Sequence, residues 1–177
     1  EFIRKTPVTN GAVALNSIFC IRGYFLVEES SPTSAGNMEW FIRNLMSYEK
    51  AEAKAAGGSV YDITNKWVEE IEPQDSDIIF LPFLNGSNEN ALAAGSFVGL
   101  TDFHDRRHML RAVYEGIVFS HLTHVNRLLK NREKPEAIRL AGGAANSDVW
   151  VQIFADALQI PIETVECQEQ GIMGAAM

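Results

Sequence analysis

A chain of 177 residues that is 46% hydrophobic and 21% charged suits one core-forming domain, or one lobe of a two-lobed protein, and is unlike a disordered segment. Its formal net charge of −8 argues against a nonspecific nucleic-acid partner, which needs a basic stripe to displace counterions, but leaves room for a small anion held locally. The longest apolar runs, such as 78–84, fall far short of the roughly 20 residues that span a bilayer, so no membrane partner is expected.

In chain order, the apolar runs at 14–21 and 24–29 read as two strands joined at Arg22 and Gly23, where glycine tolerates the positive φ of a tight turn, and so as an antiparallel hairpin. The hydroxyl-rich segment 31–34 precedes Met38, Phe41, Ile42, Leu45 and Met46, a helical stripe with side chains at hand for an N-cap; about four turns are expected. Residues 51–58 are polar and alanine-rich and read as a surface connection or a frayed helix end. Ser59 with Asp62 resembles a capping box for a second helix carrying Val60, Ile63, Trp67 and Ile71, which Pro73 ends.

The run 78–84 reads as a strand buried on both faces, although Pro82 argues against a full ladder, and it delivers the polar loop 85–90. One long helix follows from about His104 to Lys130, with charged residues on its outer face. A strand at 137–141, a glycine turn, a helix capped by Ser147, a strand at 161–165 and a last helix opening at Gly171 complete the pattern. Alternation of this kind predicts an α/β fold, a mixed sheet layered with helices.

Chemistry concentrates at Ala141 to Trp150, where a strand, consecutive glycines and a capped helix start adjoin. Glycines let a ligand approach the backbone, and the first amides of a helix, with the positive end of its dipole behind them, suit phosphate oxygens. Taken alone, such a junction is more often only a tight turn. The loop residues Asn85, Gly86, Ser87 and Asn88 sit at a strand mouth, where α/β folds place ligands, and are candidate cleft residues. His104 with His108 and His121 with His124 have spacings that put each pair on one helix face, but no third ligand lies nearby, so they read as polar surface or packing residues and no metal site is assigned. Glu115, mid-helix beside Gly116, reads as a buried hydrogen-bonding residue rather than a catalytic base. Cys20 and Cys167 are neither clustered nor in a CxxC spacing, which suits free thiols in a reducing, cytoplasmic setting.

Residues 142–156 resemble the second signature of the FGGY carbohydrate kinases, a GGGAxSxxWxQxxAD-like stretch that contacts the nucleotide in that family. Segments 80–86, 95–100, 108–116 and 171–176 resemble further blocks of the family in the same order, and 31–41, 81–88 and 114–124 look closest to its L-xylulose and 3-keto-L-gulonate kinase branch.

The resemblance implies an actin-like ATPase, ribonuclease-H-like fold, of which residues 1–177 are the C-terminal nucleotide-binding lobe. It implies ATP and Mg2+ as cofactors and a sugar, such as the ketose L-xylulose, as substrate. Gly142, Gly143, Ala144 and Ser147 are then the nucleotide-binding residues. The catalytic aspartate and most sugar contacts are expected in an N-terminal lobe of the same protein, so no catalytic residue is assigned here. With no initiator Met and no stop signal after the small-residue run at 174–177, the chain is expected to be cut at both ends and inactive alone. The alternative is a non-catalytic actin-like nucleotide-binding module, and a homodimer is left open. Ala141 replaces the first glycine of the common GGG, and Asp148 puts a carboxylate in the first helical turn, where it is expected to face the nucleoside or solvent.

Overall fold

The computed structural model describes residues 1–9 and 15–165. The expected helix from Gly171 and the thiol of Cys167 lie outside the described residues. The hairpin is present: β2 (Leu15–Ile18) pairs antiparallel with β3 (Phe25–Glu28), and Gly23, at φ 86°, supplies the positive φ of the connecting turn. A short strand not read from the sequence, β1 (Phe2–Arg4), adds to the other side of β3, which buries Val27 completely in a small cluster with Val8 and Leu128.

The next helix departs from expectation at both ends. α1 (Gly36–Leu45) has Ala35 at its cap and no side-chain cap bond. The hydroxyls upstream bind elsewhere: Thr33 Oγ1 accepts the Asn85 amide at 3.2 Å, and Ser34 Oγ lies 2.8 Å from His121 Nε2. The helix has 10 residues, just under three turns, because Met46 leaves helical geometry and α2 (Ser47–Ala55) starts at once. α2 ends inside the stretch 51–58 that reads as a surface connection or a frayed helix end. Its inward positions are Ala53 and Glu49, so no apolar stripe announces it; the Glu49 carboxylate is instead gripped by Arg106 at 2.7 and 3.2 Å.

α3 (Val60–Glu69) carries the expected capping box of Ser59 and Asp62, and Pro73 opens a 3-10 turn just beyond it. The strand expected to be buried on both faces is smaller and one-sided. Among the described residues β4 (Ile79–Leu81) pairs only with β5 (Ser96–Val98), so side chains alternate across a two-stranded ribbon: Phe80 is buried against Phe97, while Ile79 and Leu81 are exposed. The continuous apolar run reflects an outer face that is also apolar.

α4 (Arg106–Leu129) is the longest element, 24 residues or about 36 Å, and packs against α1, α3, β4 and α5. Its polar residues are not all solvated. Arg111 is buried and donates to Val68 O, in the last turn of α3, at 3.1 Å and to Ile71 O, two residues past the helix end. β6 (Ile138–Leu140), α5 (Asp148–Leu158) and β7 (Ile162–Thr164) form a parallel β-α-β unit, Ile138 opposite Ile162. Trp150, Ile153, Phe154 and Leu158 of α5 join the main core, as their spacing predicts. No helix among the described residues is long and apolar enough to cross a membrane.

Candidate functional site

β6 delivers the chain to Gly142, which adopts φ 85° and ψ −165°, a conformation closed to ordinary side chains. A 3-10 turn, Gly143–Asn146, follows, and Ser147 caps α5 by accepting the Trp150 amide at 3.3 Å. Gly142 and Gly143 are exposed, and a Cβ added to either would meet nothing within 4 Å. The backbone therefore requires glycine at 142, whereas at Gly143, which lacks a positive φ, neither backbone nor packing does. Ala144 packs its half-buried methyl on the core, and Asp148 is exposed at the start of α5.

Beneath the turn lies a polar network that sequence reasoning missed. The buried Ser147 hydroxyl donates to Asn65 Oδ1 at 2.7 Å. Tyr114 OH, with one hydrogen, lies 3.1 Å from Thr64 Oγ1 and 3.3 Å from Asn65 Oδ1. Thr64 Oγ1 spends its own hydrogen on Tyr61 O at 2.9 Å. Burial pushes the Tyr114 phenol up to about 12, the Thr64 bond opposing, so it stays a neutral donor. Its ring lies 4.4 Å from that of Trp150, fixing α5 on α4. The available sequence signal was Thr64 and Asn65 themselves, two adjacent polar residues inside the apolar stripe of α3.

The other candidate loop builds a separate cleft. Gly86 has φ 79°, and a Cβ there would lie 2.7 Å from Ala91 O. Ser87 Oγ accepts the Asn90 amide at 3.0 Å, and Asn88 Nδ2 donates to Ser30 O. With the 31–33 segment and Ser120, Thr123, His124 and Arg127 of α4, Gly86, Ser87 and Asn88 wall a cleft of about 260 Å3. Behind it the buried Glu29 carboxylate lies 3.3 Å from His124 Nδ1 and 3.5 Å from Arg127 Nη1. The glycine turn rests near Tyr114 and the loop along 120–127, roughly 9 to 20 Å further along α4, so they do not form one constellation.

Glu115 pairs with Arg111 at 2.8 Å, and its pKa is raised by burial against the attraction of that guanidinium, as a packing residue's would be. Each histidine has a protein partner: Thr101 for His104, Asp105 for His108, Ser34 for His121 and Glu29 for His124. Among the described residues no three of His, Cys, Asp and Glu are grouped to hold a metal ion.

Residues 2–177 match the profile described as FGGY family of carbohydrate kinases, C-terminal domain. The L-xylulose/3-keto-L-gulonate kinase of Escherichia coli (strain K12) is 40% identical over 156 residues, which make up 88% of this chain and 29% of that protein. Among solved structures, a ligand-bound xylulose kinase from Lactobacillus acidophilus superposes with a TM-score of 0.68 at 31% identity, covering 86% of this chain and 30% of that one. A xylulose kinase from Rhodospirillum rubrum gives 0.77 at 21% identity, covering 92% and 31%, a likeness of fold. The chain thus spans about 30% of the length of the relatives it matches. With five sequence blocks in family order and an α/β fold shared with these kinases, the chain belongs to the FGGY family of carbohydrate kinases, in its C-terminal domain.

Proposed function

We propose that this chain is the C-terminal nucleotide-binding lobe of an ATP-dependent carbohydrate kinase, which transfers the γ-phosphoryl group of ATP to a hydroxyl of a ketose such as L-xylulose. The observation that carries the reading is Gly143. Glycine stands there without a positive φ and without a neighbour to accommodate, on an exposed turn that leads into α5. A bare, exposed backbone that the fold itself does not need leaves room there for a ligand to approach closely.

In this reading Gly142, Gly143 and Ala144 present backbone to the nucleotide, the start of α5 favours its negative charge, and Ser147 holds the turn in place. Mg2+ would be carried on the triphosphate, bound mainly by phosphate oxygens and water with one or two carboxylates. When bound, it offsets charge on the β- and γ-phosphates. Transfer forms the sugar O–P bond as the γ-phosphorus bond to the bridging oxygen breaks. The hydroxyl proton passes to a base in the N-terminal lobe, which also supplies most sugar contacts. The E. coli relative named for L-xylulose supports a ketose substrate.

A coupled ADP assay on the full-length protein over a panel of ketoses and polyols tests this. Sugar-dependent ADP release is expected, with residues 1–177 alone giving none, because positioning by both lobes is worth about 7 to 11 kcal/mol of the barrier. No release with any sugar, despite nucleotide binding, would favour a non-catalytic actin-like module.

A further inference from the structure

The network under the glycine turn leaves one group unused. Asn65 Oδ1 is taken by the Ser147 hydroxyl at 2.7 Å, with the Tyr114 hydroxyl 3.3 Å away. Its Nδ2 has no partner among the described residues, and Asn65 is only half-buried at this point of α3. Both amide hydrogens therefore remain to be donated, held in place by two residues that also position the turn. We infer that Asn65 contacts the nucleoside end of ATP, its Nδ2 donating to a neutral acceptor, either a ring nitrogen or a ribose hydroxyl. This rests on the nucleotide-binding reading above.

Two features favour the nucleoside over the phosphates. Asp62 and Glu69 stand three and four residues from Asn65, the spacings that share a helix face, so two carboxylates flank it and disfavour a polyanion. The amide is also anchored through Ser147, four residues past Gly143, whereas the exposed backbone suited to phosphate is at the glycines. A neutral donor between carboxylates suits an uncharged polar group. Asn65 would then sense the nucleoside and pass its position, through Ser147, to the start of α5.

The test uses the full-length protein with Asn65→Asp and Asn65→Ala. Asn65→Asp keeps an acceptor for Ser147 and Tyr114 and loses the donor, so it preserves the network and separates contact from support. One lost neutral hydrogen bond corresponds to about a three- to tenfold loss of affinity. The expected result is that KM for ATP and the inhibition constant of adenosine, an uncharged probe, rise together by such a factor in both variants. The kcat and the KM for sugar stay within twofold, and the melting temperature of Asn65→Asp is unchanged. Dideoxyadenosine separates the two acceptors: a penalty that vanishes with it assigns the ribose, and one that persists assigns the base. An adenosine constant unchanged in both variants overturns the inference, whether or not KM for ATP moves. Calorimetric binding of adenosine to the same proteins reads Asn65 even if no sugar supports turnover, so this failure is distinguishable from failure of the kinase reading.

Discussion

Replacing Gly116 by alanine probes the tightest backbone approach in the core. Gly116 lies mid-α4, where a Cβ would stand 2.4 Å from Phe80 O and 3.2 Å from Phe80 Cδ1. Bringing the first contact out to 3.0 Å, still shorter than Cβ atoms normally show, needs a shift of at least 0.6 Å. β4 cannot yield freely: Phe80 is paired with Phe97 in the ladder, and the two rings lie 4.7 Å apart. Overpacking costs about 1 to 3 kcal/mol, and so close an approach to backbone stands at the upper end, about 2 to 3 kcal/mol. Alanine returns up to about 1 kcal/mol as the better helix former, leaving a net loss of about 1 to 2 kcal/mol. In a domain of this size that lowers the melting temperature by about 2 to 8 °C, readable by calorimetry or circular dichroism on the full-length protein. A melting temperature equal to or above that of the parent would refute the claim that glycine here serves the α4–β4 approach.

Other perturbations read the turn and the titrating groups. Gly142→Ala, at φ 85°, should cost about 1 to 2 kcal/mol, whereas Gly143→Ala should be neutral or stabilise by about 0.4 to 1 kcal/mol while raising KM for ATP; equal stability effects would show that the two glycines are not distinguished as argued. His121 is held below its ordinary range of 6.5, by burial first and then by the charge of His124, so the unfolded chain takes up its proton first as pH falls. Its contribution is therefore a loss of stability on acidification below about 6.5. His121→Gln, which can keep a bond to Ser34, should show a smaller drop in denaturation midpoint between pH 7 and 5. Tyr61 is pushed up to about 12, by its hydrogen bond to Glu39 first and by burial second. The stability this lends is fully present below pH 10 and lost between about 10 and 12, so Tyr61→Phe should flatten stability in that window relative to the parent. Tyr114, likewise raised, is present in both proteins and cancels.

What could be read from sequence was what depends on neighbours in the chain. The capping box at Ser59, the cap at Ser147, the turn at Gly23 and the inward stripe of α5 are local patterns, and each forms where its residues predict. The failures involve distant partners. α2 reads no further than a connection or a frayed helix end because its buried positions hold Ala53 and a glutamate whose burial depends on Arg106, 57 residues away. β4 was misjudged because hydrophobicity does not say whether a strand gains one neighbour or two. Asn65 was passed over because its partners, Tyr114 and Ser147, lie 49 and 82 residues further on. The glycine turn is recognisable from sequence as a candidate site, whereas the amide beneath it is not.

The separation of the buried residues into two clusters gives the two ends of the molecule different standing. Around α4 a large core joins α1, α3, β4 and α5, whereas among the described residues the β1–β3–β2 sheet leans on a small cluster of Val8, Val27 and Leu128 with Phe2 packed against it. Local opening follows buried contact density, so the three-stranded sheet should exchange its amides and yield to proteases well before the helices do. Leu128, in the last turn of α4, is the one member of the smaller cluster on that helix. Fraying there would release the sheet while leaving the glycine turn, docked near the opposite half of α4, in register. The described residues thereby include a region that can rearrange without displacing the glycine turn.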